Sequence, residues 1–240
     1  VIVAAVVAFI VGSRLAESTD SRLEKPMNDK PQRTQTAVFA GGCFWCTESD
    51  FETVEGVVEV VSGYTGGRIV NPTYEQVSAG GTGHIEAVKV VYDPDKVSYE
   101  QLLQVFWRHV DPTDGGGQFV DRGSQYRSAI FYSSDQERNL AEASKQRLAA
   151  SGRFGQPIAT EILSLGEFYL AEDYHQDYAA KDPMHYGAYR IGSGREGFLR
   201  QTWGDNTCPL PRRQDKDSPK QNDTLREKLS PLQYEVTQEN

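Results

Sequence analysis

The chain begins with an apolar run, residues 1–12 (VIVAAVVAFIVG), followed by Ser13, Arg14 and a polar, proline-containing stretch. The run is about half a membrane span, so 1–14 is expected to be a targeting or anchoring segment and 15–35 a linker. Regular patterning starts at Thr36. Residues 36–42 (TAVFAGG) read as a short buried strand closed by a Gly-Gly turn. From Cys43 onward Phe44, Phe51 and Val54 recur at helical spacing, so Cys43 opens a helix. Residues 56–64 are β-branched and end at Thr65-Gly66-Gly67, and 84–92 form a further strand closed by Asp93-Pro94. These two are expected to pair as neighbours. Ser98 starts a helix with Leu102, Leu103, Phe106, Trp107 and Val110 on its inner side, and Asp111-Pro112 stops it before a glycine-rich loop through Gly123. Residues 128–132 read as a strand, 134–150 as a capped, charged helix and 159–165 as another strand.

The connections are too mixed in length for a strict doubly wound sheet. The expected architecture is a single two-layer α+β domain over 36–207, a mixed β-sheet packed by helices around a ferredoxin-like core. From Cys208 to residue 240, Pro209, Pro211, Pro219 and Pro231 punctuate a polar segment without apolar periodicity, read as an extended, flexible C-terminal tail. Composition agrees with one sizeable core: 240 residues, 38% hydrophobic and 10% aromatic. A formal net charge of −9, with no basic stripe interleaved with aromatics, excludes nucleic acid as the expected partner. Three cysteines are too few for a disulfide framework, and the odd number leaves at least one free for chemistry.

The chemistry concentrates at Gly41-Gly42-Cys43-Phe44-Trp45-Cys46. Unpaired N–H groups at the first turn of a helix favour an anion, so Cys43 is expected as a thiolate, a nucleophile prone to forming a sulfenic acid. Cys46, one turn on, would resolve that sulfenic acid to a disulfide, or Cys208 would if the tail reaches the site. The plainer reading makes both motif cysteines small buried hydrophobes. A C-x-x-C pair also serves zinc, yet Cys208, His84, His109, His175 and His185 supply no matching second pair, so no metal is expected. In residues 84–92 the period of two puts Glu86 with Val88, Val90 and Tyr92 on one face and Lys89 on the other. Desolvation on an apolar face keeps a carboxyl protonated near neutral pH, which suits a general acid. Against this stands an edge-strand glutamate reaching solvent or an arginine.

Taken together, the residues resemble one family, the A-type peptide methionine sulfoxide reductases. The motifs are Gly42-Cys43-Phe44-Trp45-Cys46, Gly63-Tyr64-Thr65-Gly66-Gly67, Asn71-Pro72-Thr73-Tyr74, Thr82-Gly83-His84-Ile85-Glu86-Ala87, residues 121–128 (DRGSQYRS) and Ala171-Glu172-Asp173-Tyr174-His175-Gln176. Their order and spacing agree as well, over about 36–204. The resemblance implies reduction of the S epimer of methionine sulfoxide in oxidised proteins, with Cys43 attacking sulfur, Glu86 donating a proton to oxygen, and Tyr74 and Tyr126 hydrogen-bonding that oxygen. Asp121 would order the site, and Phe44 and Trp45 would enclose the S-methyl group. Cys46 is the preferred resolver with Cys208 in reserve. The resemblance further implies thioredoxin as external reductant, no bound cofactor, and a monomer. His84 and His175 are left out of the catalytic set as structural hydrogen-bonders. The apolar N-terminus points to an exported, periplasmic or membrane-tethered chain, with a cytoplasmic one as the alternative. Two rivals stand beside this reading. A thioredoxin-like dithiol–disulfide oxidoreductase would leave Tyr64, Tyr74, Glu86 and Tyr126 without a purpose, and a non-enzymatic module would have inert cysteines.

Overall fold

The computed structural model describes residues 33–204 and 209–213. The expected anchor at 1–14, the linker up to residue 32, Cys208 and the tail from 214 onward lie outside the described residues.

The elements run β1 (Gln35–Gly41), α1 (Phe44–Glu52), β2 (Val57–Thr65), α2 (Tyr74–Ser78), β3 (Ile85–Tyr92) and α3 (Tyr99–Trp107). There follow a short hairpin of β4 (Gly117–Gln118) and β5 (Asp121–Arg122), then β6 (Ser128–Tyr132), α4 (Asp135–Ala150), β7 (Glu161–Ser164) and β8 (Phe168–Leu170). Three helices close the domain: α5 (Tyr178–Lys181), α6 (Pro183–Gly192) and α7 (Arg195–Trp203). One sheet is ordered β7-β6-β1-β3-β2-β8. Strand β3 lies antiparallel between β1 and β2, so the two strands joined by α1 run parallel with a third inserted between them. Helix α3 makes the second crossover, to β6 beside β1. That central order is the ferredoxin-like arrangement. β7 extends it in parallel and β8 in antiparallel fashion, which gives the mixed sheet.

Strand β1 is apolar from Ala37 onward because both of its faces are covered there. Ala37 and Phe39 point into the main core with the helices, while Val38 and Ala40 join Ile85, Ala87, Ala129 and Phe131 on the opposite face. Phe39, with 0% exposure, stacks on Phe51 of α1 at 4.9 Å and on Phe106 of α3 at 5.4 Å. α3 begins with a capping box of Ser98 and Gln101 and buries Leu102, Leu103, Phe106 and Trp107, the expected face. The Trp107 indole N–H donates to Ser144 Oγ at 2.8 Å and so ties α3 to α4.

The pattern does not announce α2, β8 or α5 to α7. α2 and α5 are only 5 and 4 residues long, and α7 buries only Leu199 and Arg195. Too few apolar positions exist there to show a period. The described part of the tail is held by backbone pairing: Glu55 N–H donates to Pro211 O at 3.1 Å, Arg213 N–H donates to Thr53 O at 2.7 Å, and Leu210 packs on the core. This contact lies at the end of α1 remote from Cys43. Among the described residues no helix is long and apolar enough to cross a membrane.

Because Phe39 joins the sheet to both crossover helices, Phe39→Ala is expected to destabilise the fold by about 3–5 kcal/mol. Urea unfolding followed by circular dichroism checks this, and an unchanged midpoint would contradict the placement of the core.

Candidate active site

Strand β1 ends at Gly41 and α1 starts at Phe44, so the chain turns within Gly42 and Cys43. Gly42 has φ +88°, and a Cβ at that position would stand 2.5 Å from Gln118 Cβ, so a glycine is needed on both counts. Cys43 is the N-cap of α1, and its carbonyl accepts from Thr47 N–H at 3.3 Å and Thr47 Oγ1 at 3.2 Å. The first helix N–H, that of Phe44, donates to Glu86 Oε2 at 3.0 Å. The cross-strand pair Tyr64↔Glu86 places this carboxyl on the helix-facing side of β3, as the alternation predicts. Glu86 is 2% exposed. Burial pushes its carboxyl up to about 8, against the opposing Phe44 N–H and with the charges of Asp121 and Cys46 adding.

Cys43 is 7% exposed. Burial, then contact with Cys46 and the neighbouring Glu86, hold its thiol well above the usual range, while the Tyr189 hydroxyl works the other way. The expected resting thiolate is therefore corrected to a neutral thiol. The helix N–H that would have favoured an anion on sulfur is spent on Glu86, and the surroundings are apolar.

The tyrosines arrive from opposite sides. Tyr74, the first residue of α2, donates its backbone N–H to Glu172 Oε1 at 2.8 Å, and Tyr64 Oη donates to Glu172 Oε2 at 2.9 Å. Although burial raises it, these two donors hold the Glu172 carboxyl below its ordinary value. Burial followed by the Glu86 charge raises both Tyr74 and Tyr126, and the neighbouring Tyr126 hydroxyl works the other way on Tyr74. Asp121, in β5, accepts from Tyr189 Oη at 2.5 Å. Its carboxyl is raised by burial and lowered by Tyr189 and Arg195. Cys43, Glu86, Tyr74, Tyr126 and Asp121 thus converge on one spot from α1, β3, α2, the turn at Ser124–Tyr126 and β5.

Around them lies an aromatic wall. Phe44 is buried between Tyr64 at 5.8 Å and His175 at 4.9 Å. Trp45 is half-buried, stacks on Tyr178 at 3.7 Å and donates its indole N–H to His175 Nδ1 at 3.0 Å. Cys46 is buried, with its thiol in hydrogen-bonding reach of Cys43. That contact, followed by the charges of Arg195 and Arg190, overcomes burial and brings Cys46 to about 7. His84 accepts from Gly67 N–H at 3.2 Å and lies with Nε2 2.8 Å from Ile69 O, bracing the loop ahead of α2. Cys208 lies outside the described residues. Among the described residues no group of three or more His, Cys, Asp or Glu is arranged to hold a metal ion.

Pattern reading missed Tyr189, which reaches both Cys43 and Asp121, and it missed Arg190 and Arg195 beside Cys46. All three lie in helices that carry no motif. Glu172 sits inside a quoted motif, but only the fold shows that it pins Tyr64 and Tyr74.

The family model described as peptide methionine sulfoxide reductase matches residues 35–207. The chain belongs to this family. The "Peptide methionine sulfoxide reductase MsrA" of Bacillus licheniformis is 57% identical over 173 residues, which are 72% of this chain and 96% of that relative. Among solved structures, methionine sulfoxide reductase A of Corynebacterium diphtheriae aligns with a TM-score of 0.56 and 40% identity, covering 65% of this chain and 78% of that one. Mxr1 from Saccharomyces cerevisiae in reduced form aligns with a TM-score of 0.60 and 32% identity, covering 64% and 88%. As a member of the A-type reductases the chain is an oxidoreductase that reduces methionine sulfoxide.

The state of Glu86 carries a stability signature. Folded, it keeps its proton up to about 8, against an ordinary 4.5. The folded chain therefore binds the extra proton between those values: Glu86's contribution is complete below about 4.5 and is lost as pH rises through about 8. Glu86→Gln mimics the protonated carboxyl and removes this dependence, so at pH 7 the variant is expected to be more stable by on the order of 2 kcal/mol. Urea unfolding of both chains at acid, neutral and alkaline pH checks it. Equal pH slopes would contradict the raised value.

Proposed function

We propose that this reductase acts on peptide-bound methionine S-sulfoxide by sulfur attack from Cys43 with Glu86 as general acid, and that Cys46 resolves the product. The observation that carries the reading is the contact of the Glu86 carboxyl with the N–H next to Cys43, which sets a protonated acid beside the thiol in a buried site.

Sulfoxide oxygen leaves poorly unless it is protonated. Glu86 gives its proton to that oxygen, and the Cys43 thiol gives its own proton to the carboxylate so formed. The resulting thiolate attacks the sulfoxide sulfur. The hydroxyl passes to Cys43 sulfur, the thioether of methionine is released, and Cys43 is left as a sulfenic acid, so sulfur in the substrate is reduced as the cysteine is oxidised. Tyr74 and Tyr126, which keep their protons, hydrogen-bond the oxygen while charge builds on it. Tyr189 and Asp121 close the other side. Phe44 and Trp45 supply apolar surface for the S-methyl group, Trp45 with the more accessible ring.

Cys46 then attacks the sulfenic sulfur, hydroxide leaves as water after taking a proton, and a Cys43–Cys46 disulfide remains. Thioredoxin, a dithiol reductant, is the proposed partner that reduces it. The rival reading as a plain dithiol exchanger accounts for neither the buried acid nor the two tyrosines.

Thioredoxin-coupled turnover of S- and R-methionine sulfoxide tests this directly. Activity is expected on the S epimer alone, none in Cys43→Ser, and a loss of about 10²–10⁴-fold in kcat for Glu86→Gln. Wild-type turnover is expected to fall as pH rises through about 8, where Glu86 gives up its proton. Full activity of Glu86→Gln would remove the general-acid role. Mass mapping after one turnover is expected to find Cys43 bonded to Cys46, and a Cys43–Cys208 bond would assign the resolving step to the tail.

A further inference from the structure

Tyr74 is the first residue of α2, a helix of 5 residues. A helix that short does not hold its own shape in water, so the place of the Tyr74 side chain has to come from what α2 is fastened to. At the far end Gln125 Nε2 donates to Ser78 O at 3.0 Å, and Val77, with 0% exposure, packs into the core. At the near end the capping box of Thr73 and Gln76 closes within the helix. The fastening of that end to the rest of the domain is Glu172, whose Oε1 accepts from the Tyr74 backbone N–H at 2.8 Å.

Glu172 grips two elements with one carboxylate. Its other oxygen, Oε2, accepts from Tyr64 Oη at 2.9 Å, and Tyr64 is buried in β2, paired across the strands with Glu86. The segment that carries Glu172 is itself clipped to β2. Ala171 N–H donates to Ser62 O at 3.0 Å, and the Gln176 side chain accepts from Ser62 N–H at 2.8 Å and donates to Ser62 O at 2.9 Å. His175 N–H donates to Glu172 O at 2.9 Å, closing a turn that sets the His175 ring 4.4 Å from the Tyr74 ring and 4.9 Å from that of Phe44. This turn therefore holds Tyr74 both at its backbone and along its ring. Both partners of the carboxylate are donors, which suits an ionised acid, because charge-assisted hydrogen bonds are shorter and stronger than neutral ones.

We propose that Glu172 is a positioning residue for sulfoxide reduction: by bridging the Tyr74 backbone to the Tyr64 hydroxyl, it sets the Tyr74 hydroxyl against the sulfoxide oxygen. Glu172 itself gives up no proton and meets no reacting atom. A donor aimed at developing charge works only if its place is fixed before the reaction, and a displacement of about 1 Å costs up to about 10²-fold in rate. Without the carboxylate α2 keeps its hold through Val77 and Gln125 while the Tyr74 end is released. The loss then falls on that hydroxyl rather than on Cys43 or Glu86. The inference rests on the reading of Tyr74 as a donor to the oxygen.

The test is a double-mutant cycle on the reduced full chain, which reads the rate of methionine release in a single turnover at saturating methionine S-sulfoxide, without reductant. Glu172→Ala is expected to slow release about ten-fold in the wild-type background and by less than about two-fold in Tyr74→Phe, where the hydroxyl it positions is already gone. Glu172→Gln, whose amide can accept from Tyr74 N–H and donate to Tyr64 Oη, is expected to restore most of the rate. A merely structural role slows both backgrounds alike, so equal losses, or no loss in the wild-type background, overturn the proposal. If Glu172→Ala does not fold, Tyr64→Phe, which frees only Oε2, goes through the same cycle: a loss absent from Tyr74→Phe supports the proposal, and a loss equal in both backgrounds, or none, overturns it. Full activity of Tyr74→Phe would instead strike the reading of Tyr74, and the proposal with it.

Discussion

The hydrogen bond from Phe44 N–H to the Glu86 carboxyl joins the helix that carries the cysteines to the central strand of the sheet, and most of the site depends on it. It fixes the start of α1 against β3 at the point where a side chain from each must meet. It also settles the electrostatics. A helix terminus has a limited supply of free N–H groups, and giving the first of them to Glu86 leaves Cys43 without the donor that would have stabilised a resting thiolate. The cost of a carboxyl buried at 2% exposure is held down by leaving it protonated. That same proton is what the chemistry requires.

Two sulfurs one turn apart on α1 therefore live in different surroundings. Cys43 faces a carboxyl, a phenol and apolar rings, while Cys46 faces the guanidinium side of the domain. The difference comes from what packs around the helix: β3, α2 and Tyr189 of α6 toward the first, and Arg190 of α6 and Arg195 of α7 toward the second. Gly42 belongs to both arrangements. Its positive φ turns the chain from β1 into α1, and its missing side chain makes room for Gln118 and for Arg195.

The main strands and helices were legible because each has a period long enough to read. β1, β2, β3 and β6 are runs of apolar and β-branched residues, and α3 places Leu102, Leu103, Phe106 and Trp107 on one side beneath a capping box. Glu86 was legible for the same reason, as a charge interrupting an apolar face. The closing segment was not. α5 buries no residue, α6 only Tyr186 and α7 only Arg195 and Leu199, and the bonds of Tyr189 to Asp121 and of Arg195 to Gly41 span 68 and 154 residues. No local pattern encodes partners that far apart. The protonation of Cys43 escaped for a related reason: a helix N-terminus can be seen in sequence, but which group takes its N–H depends on a strand more than forty residues away.

The proposed division of labour between the sulfurs also orders the reaction in time. A Cys43 that were ionised at rest would sit beside a Cys46 primed by cations and beside any passing oxidant, and it would form the disulfide without having repaired anything. In the proposed reaction Cys43, held neutral, is activated only when a sulfoxide takes the Glu86 proton and leaves a carboxylate to accept the thiol proton. Cys46 needs no such trigger, because its target sulfur becomes electrophilic only once the sulfenic acid exists. In that reaction the base that activates Cys43 thus appears only with substrate, whereas the charges of Arg195 and Arg190 that lower Cys46 are built permanently into the fold.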